Sequence, residues 1–278
     1  MTGSAAANGM PLARAKTNPI TPSAIQPASR AARKPPNDLA IGLILASLLW
    51  LPAARAEEAP TNVAKLAAHR ETETEAERNQ YTYRQTFSLE ELDERGILRG
   101  QYREIRDIIF SPQQERTEKL IGKPENALKY LKLTKEDFGD LRDIQPLVLT
   151  EDRLWNYEIK NRGEETMDGM DCWVIEARPR QILEGQRFFE GLIWIDKKDY
   201  NVVRMAGRAV PQIRSTTSEN LFPRFTTVRR PVDGKYWFPV YTLADDTLQF
   251  RTGPQRERLR ISYSNYQRFT VDSTFQAK

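Results

Sequence analysis

Across 278 residues the chain carries one cysteine, Cys172, and one histidine, His69. A lone cysteine excludes an intramolecular disulfide, so the core must supply stability whatever the redox state of the compartment. The usual zinc site, built from several Cys and His ligands, lacks its set. A thiol enzyme would need His69, in a helical pattern, to meet Cys172, in a strand pattern beside Trp173. A cysteine so placed reads as a small buried apolar residue. Neither a phosphate-cradling P-loop nor a dinucleotide glycine fingerprint is present. The acid pairs Glu90-Glu91, Glu164-Glu165 and Asp245-Asp246 stand in or beside turns. Adjacent strand residues point to opposite faces, which does not suit paired-carboxylate chemistry. The expectation is a protein with no catalytic residues, no metal and no cofactor.

A long membrane-crossing run is missing too. The apolar run Leu39 to Leu51 has 13 residues, whereas a spanning helix needs about 20. Arg30, Arg33 and Lys34 precede it and Ala54-Arg55-Ala56 follow it. A basic region, a short apolar run and a small-x-small site spell a secretory signal, with cleavage expected after Ala56; a retained anchor is the competing reading. Residues 1–37 are rich in Ala, Pro and Ser, with Met10 as a second candidate start. No cysteine stands near residue 56 for lipid attachment, so the mature chain is expected to be soluble in the periplasm.

Removing residues 1–56 takes away Arg14, Lys16, Arg30, Arg33, Lys34, Arg55 and Asp38, leaving 36 of 42 basic and 37 of 38 acidic residues. The pI of about 9.1 therefore belongs to the whole chain and not to residues 57–278. The basic footprint expected of a nucleic-acid binder disappears with the leader. In "PQRERLRIS" Leu259, Ile261 and Tyr263 alternate with Arg258, Arg260 and Ser262, as a half-buried strand requires.

No Gly/Ser linker or internal repeat follows Ala56, so residues 57–278 are expected to form one domain. "TNVAKLAAHRETETEAERNQ" predicts a helix with Val63, Leu66 and Ala67 inward and Thr61 or Asn62 as its cap. "YTYRQTFSL" puts Tyr81, Tyr83, Phe87 and Leu89 on one strand face. The turn "DERG", the strand "QYREIRDIIF", the turn "SPQQER" and "TEKLIG" continue it as an antiparallel meander. "PENALKYLK" has a Pro-initiated helix start, and "LTKEDFGDLRD" places Thr134 three residues before Asp137, close to a capping box, with Phe138, Leu141 and Ile144 inward. Strand signals then run from "RLWNYEIKN" to "LRISYSNYQRF", with hairpin turns at Asp168-Gly169 and Asp233-Gly234. The fold class is thus mainly β (α+β): an antiparallel sheet of about 9–11 strands, curled into a half-open barrel and covered by about three helices.

Gly191 to Ala209, "GLIWIDKKDYNVVRMAGRA", has Leu192 and Trp194 on one side and Ile193 and Ile195 on the other. With both faces apolar, this hairpin is either covered on both sides or backs a cavity that water does not fill.

The hairpins "DGMDCWVIEARP", "GLIWIDKKDYNVVRMAG" and "RFTTVRRPVDGKYWFPVYTL" resemble the outer-membrane lipoprotein-sorting family, the LolA/LolB-like fold. Trp194-Ile195-Asp196, Val203-Arg204-Met205 and Val232 to Pro239 stand where that family has its Y/W-I-D, V-R/K-M and V-D-G-x-Y/W-x-P motifs. The likeness covers most of residues 61–270, and its motifs are hairpin chemistry. It implies a half-open barrel holding lipid or the acyl chains of lipoproteins, without catalysis, between an inner-membrane exporter and an outer-membrane acceptor. Candidate cavity residues are Phe87, Trp155, Tyr157, Trp173 and Trp194, each of which core packing would equally explain. Leu221 and Phe222 interrupt the polar loop "SENLFPRF" and are candidates for a cavity mouth or partner contact. A sensor or assembly protein on the same scaffold, with a filled barrel, is the other reading.

Overall fold

The computed structural model describes residues 60–111, 115–144, 149–214 and 219–268. The expected leader and its cleavage site lie outside these residues. All the described residues fall in one compact unit, and none of their helices is long and apolar enough to cross a membrane.

Three helices accompany the strands. They are α1 (Val63–Arg78), α2 (Lys135–Asp143) and α3 (Glu151–Leu154). The strands are β1 (Tyr81–Leu92), β2 (Leu98–Phe110), β3 (Arg116–Leu120), β4 (Glu125–Asn126), β5 (Tyr157–Met167), β6 (Met170–Pro179), β7 (Phe188–Asp196), β8 (Val202–Val210), β9 (Ile213–Arg214), β10 (Glu219–Asn220), β11 (Phe225–Val232), β12 (Tyr236–Phe250) and β13 (Gly253–Arg268). Eleven of them make one sheet in the order β3-β2-β1-β13-β12-β11-β8-β7-β6-β5, with β4 also on β2, while β9 and β10 pair apart. Neighbours run antiparallel throughout, and the sheet does not close into a barrel: β3 and β5 end its path. The strand count and the mainly β class agree with the sequence reading.

Local chemistry accounts for much of this. Asp168-Gly169 and Asp233-Gly234 both take positive φ, 51° and 78° in the first pair and 51° and 73° in the second, as a tight turn between right-twisted strands demands. β1 alternates as expected, with Tyr81, Tyr83, Phe87 and Leu89 buried and Gln85 and Glu91 sharing their face. β5, at one edge, is almost wholly exposed and rich in charge, and its register slips between Asn161 and Gly163. Charge and a bulge are the usual ways to stop an edge from recruiting another strand.

Two element assignments fail, for traceable reasons. Residues 124–132 form no helix: Glu125–Asn126 joins the edge of β2, and the amides of Lys129, Tyr130 and Leu131 donate to the Glu91 carboxylate at 2.7, 2.7 and 2.5 Å. A buried carboxylate on β1 thus takes the donors that a helix would have used. Gly100 allows it, because a Cβ there would collide with the Glu91 carboxylate and the Ala127 carbonyl. The second failure is "RLWNYEIKN", expected to start as a strand. Its first residues instead close the short α3, with Trp155 as C-cap, and β5 begins at Tyr157.

The inner face carries the main core, in which Ile193, Ile195, Phe87, Tyr157 and Trp173 all take part. Trp194 and Leu192 belong to a second cluster with Cys172, Val174 and Val203. The apolar hairpin is therefore covered on both sides. Over the second cluster, Trp194 Nε1 donates to Glu165 at 2.8 Å, and the Arg204 guanidinium stands 5.2 Å from the Trp194 ring centre.

Candidate functional site

Two ends of the inner face are covered differently. At one end α1 lies across the strands, its buried side made of Val63, Ala67, Ala68, Glu71, Thr74 and Glu77. Leu66, expected inward, is only partly buried. The face turns toward Glu71 because Arg229 of β11 meets it: the guanidinium donates to both carboxylate oxygens at 2.7 and 2.8 Å, and both residues are 1% exposed. Tyr81 and Phe238 pack edge to face nearby with ring centres 5.1 Å apart, and Tyr266 lies 5.3 Å from Phe238. Asn62 caps the helix by position alone, without a side-chain hydrogen bond.

At the other end the sheet is roofed by thin pieces and a cleft of about 1500 Å3 stays open. Its walls include Phe87, Leu89 and Leu92 of β1, Leu248 of β12 and Leu259 of β13. Its roof is the 129–133 segment held by Glu91, then α2, then Leu221 and Phe222. α2 starts as the sequence indicates: Thr134 Oγ1 accepts from the Asp137 amide at 3.3 Å, and Asp137 accepts from the Thr134 amide at 2.7 Å. Leu141 and Ile144 are buried and Phe138 partly so.

Arg187 binds the roof together. Its guanidinium donates to both oxygens of Asp140 on α2, at 3.1 and 2.7 Å, and to the Pro211 carbonyl, and it lies 3.7 Å from the Phe222 ring centre. Asn220 adds a bond to Thr134 Oγ1 at 2.6 Å. Burial nevertheless raises the Asp140 carboxyl to about 6, outweighing the Arg187 contact that lowers it. Asp137 is also raised by burial, against its bonds to Thr134.

One rung of the sheet floor is acidic. Glu257 of β13 is directly opposite Glu91 of β1 on one side and Asp246 of β12 on the other. Glu91 accepts from three amides, and Asp246 accepts from the amides of Arg224 and Thr247 at 3.0 and 2.8 Å. Glu257, 5% exposed and lining the cleft, is raised to about 8, first by burial and then by Asp137 and Asp246.

Of the seven residues singled out from the sequence, the cleft brings together three: Phe87, Leu221 and Phe222. Tyr157 and Trp173 are in the main core outside the cleft lining, where the Tyr157 hydroxyl accepts from the Phe189 amide at 3.2 Å. Trp194 faces the other side of the sheet. Trp155 is 81% exposed beside α3, which corrects its placement on a strand face. Sequence reasoning missed Glu257, Leu248 and Arg187. The alternation around Leu259 already put Glu257 on the inner face, which was the available signal.

The thiol of Cys172 is pushed up to about 11 by burial and by Asp196 and Asp171, so at neutral pH it is a thiol and not a nucleophilic thiolate. His69 sits on α1 with Nδ1 3.2 Å from Glu151, and the Cys172 sulfur contacts the Met170 carbonyl. The described residues include no group of three or more His, Cys, Asp or Glu placed to hold a metal ion.

No protein-family model matches the chain, and no curated protein matches it. Among solved structures the chain is similar to a DUF1329 family protein from Desulfovibrio piger ATCC 29098, at 15% identity over 76% of this chain and 92% of that one, with a TM-score of 0.37. It is similar to a LolA superfamily protein from Nitrosomonas europaea, at 11% identity over 74% and 97%, TM-score 0.31. A domain assigned to outer membrane lipoprotein sorting, from Vibrio parahaemolyticus, is similar at 13% identity over 75% and 92%, TM-score 0.34. The family named from the hairpin motifs is thus among those matched. At these identities and TM-scores the likenesses assign no ligand, partner or reaction to this chain.

Proposed function

We propose that this chain is a non-enzymatic carrier that binds lipid, or the acyl chains of lipoproteins, in its inner-face cleft. The observation that carries the reading is the cleft itself: about 1500 Å3, open to solvent, and walled by Phe87, Leu89, Leu92, Leu248 and Leu259. An acyl chain entering such a space gains about 0.8 kcal/mol per buried methylene. A roof made of a loop, a short helix and the Leu221-Phe222 segment lets cargo in and out without opening the sheet. In this reading residues 1–56 are a cleaved leader and residues 57–278 act as one domain in the periplasm. Cargo passes from an inner-membrane exporter to an outer-membrane acceptor, in outer-membrane lipoprotein sorting.

The alternative, a sensor or assembly protein on the same scaffold, draws on a different place. The outer face of β8, β11, β12 and β13 holds a groove of about 570 Å3 with Arg204, Arg224, Arg230, Arg258 and Arg260 beside Leu243. Arg230 is already paired with Asp168 and Arg258 with Asp245 in the same lining, so Arg204, Arg224 and Arg260 are the cations this surface offers to an acidic protein segment, and that reading leaves the cleft without a role.

The test is to express the full chain in a host with a periplasm, purify the processed protein and examine it by native mass spectrometry and organic extraction. Discrete bound lipid or acylated peptide, reduced when Leu259→Trp fills the cleft, is the expected result. Protein that carries no lipid and ignores fluorescent lipid probes would overturn the carrier and leave the interaction protein.

A further inference from the structure

Like charges placed directly opposite on neighbouring strands repel and destabilise a sheet. The rung Glu91-Glu257-Asp246 places three acids in a row. The outer two are satisfied by backbone amides. Glu257, in the middle, has no hydrogen-bond or ion-pair partner among the described residues, although it is buried and lines the cleft. A buried carboxyl without a partner carries a desolvation penalty that a ligand can relieve.

The surroundings decide which form it takes. Glu91 faces it from β1, Asp246 from β12 and Asp137 from α2, while Asp140 on the same helix is tied to Arg187. The cations that line the cleft, Arg95, Arg99, Lys129 and Lys132, are exposed residues, and Arg256 beside Glu257 is spent on Asp245. Nothing buried there compensates a negative charge, so the neutral acid prevails at pH 7, in keeping with its value near 8. A neutral carboxyl is a hydrogen-bond donor, and although Glu91, Asp246 and Asp137 stand near it, no hydrogen bond joins it to any of them among the described residues.

We infer that Glu257 is the polar anchor of the cleft, donating a hydrogen bond to the carbonyl oxygen of an ester or amide on an apolar ligand that lies along Phe87, Leu89, Leu248 and Leu259. This rests on the reading of the cleft as an apolar-ligand site and adds what that reading lacks: a chemical class of cargo and a fixed register for its polar end. Ionisation of Glu257 removes the donor and places a charge against apolar chain, so binding weakens as pH rises through about 8.

The experiment measures displacement of an environment-sensitive fluorescent lipid by two probes, the methyl ester of a long-chain fatty acid and a hydrocarbon of the same length. Wild-type protein should prefer the ester by about tenfold, as one buried hydrogen bond allows, and lose that preference at high pH. Glu257→Gln, whose amide also donates, should keep the preference and lose its pH dependence. Glu257→Leu should bind both probes equally. An equal preference for ester in wild type and Glu257→Leu would overturn the anchor while leaving the cleft reading standing. Loss of preference in Glu257→Gln as well as in Glu257→Leu would also overturn it, because an amide that can donate from the same place would then fail to replace the carboxyl. If neither probe binds the wild type while circular dichroism shows it folded, the cleft reading falls and the anchor with it.

Discussion

Glu71 and Glu257 are both buried on the inner face of one sheet, yet they live under opposite conditions. Glu71, on α1, receives two hydrogen bonds from Arg229. Glu257, in the cleft, receives none and stands between two further acids. The paired acid fastens a helix to the sheet. The unpaired one ties nothing down and lines the open cleft, so the two ends of the same surface are held in different ways.

Removing one partner at the paired end should have the largest effect. Glu71→Ala leaves Arg229 buried without its carboxylate and should lower stability by about 3–5 kcal/mol, read from urea unfolding. The double change Glu71→Leu with Arg229→Met should recover much of that loss, because a well-packed apolar pair can replace a buried ion pair. A loss as large in the double variant would show that the pair's own attraction dominates.

The cleft end should respond with the opposite sign. The Glu257 value rises from 4.5 to about 8 on folding, so between those limits the folded protein holds a proton that the unfolded chain has released. Stability contributed by this group is present below the unfolded value and is lost as pH rises to the folded one, by about 1.4 kcal/mol per pH unit. Glu257→Gln should flatten that slope and be more stable than wild type at pH 8. Urea midpoints at pH 5, 6.5 and 8 for both proteins check it, and parallel slopes would contradict it.

Smaller effects belong to the roof. Arg187→Ala releases Asp140, Phe222 and the Pro211 carbonyl together and should cost about 1–3 kcal/mol, with faster hydrogen exchange in α2 than in α1. Acid should act the other way: the Asp140 value is raised from 3.8 to about 6 on folding, so as pH falls through about 6 the folded state takes up a proton that the unfolded chain does not yet hold, and α2 should gain protection against exchange relative to α1. Thr134→Ala, which removes the helix cap, should cost about 1 kcal/mol and leave the α1 end untouched.

Local chemistry made much of this fold readable. The alternation in "YTYRQTFSL", the two Asp-Gly turns and the Thr134-Asp137 box each depend on residues a few positions apart, and each stands where the sequence put it. The failures depend on distant partners. Nothing near "PENALKYLK" announces that Glu91, on another strand, will take its amides. The aromatics chosen as cavity lining were chosen for size, and size favours the dense core as much as an opening. Tyr157 and Trp173 went to the core, Trp194 to the far face and Trp155 to solvent. Which acid would be left without a partner depends on three strands meeting at one rung, and no single stretch of sequence holds that information.

The pairing of β1 with β13 also bears on how the molecule is assembled. Leu89 lies opposite Leu259 and Phe87 opposite Ile261, so the floor of the cleft joins an early strand to one made long afterwards. Contacts so far apart in the chain slow folding, because the loop between them must close before they contribute. The meander β1 to β3 joins strands close in the chain, but the other edge of β1 waits until β13 arrives. During that interval the apolar row Phe87, Leu89 and Leu92 is bare, which gives the growing chain a stretch that needs protection until synthesis reaches its partner.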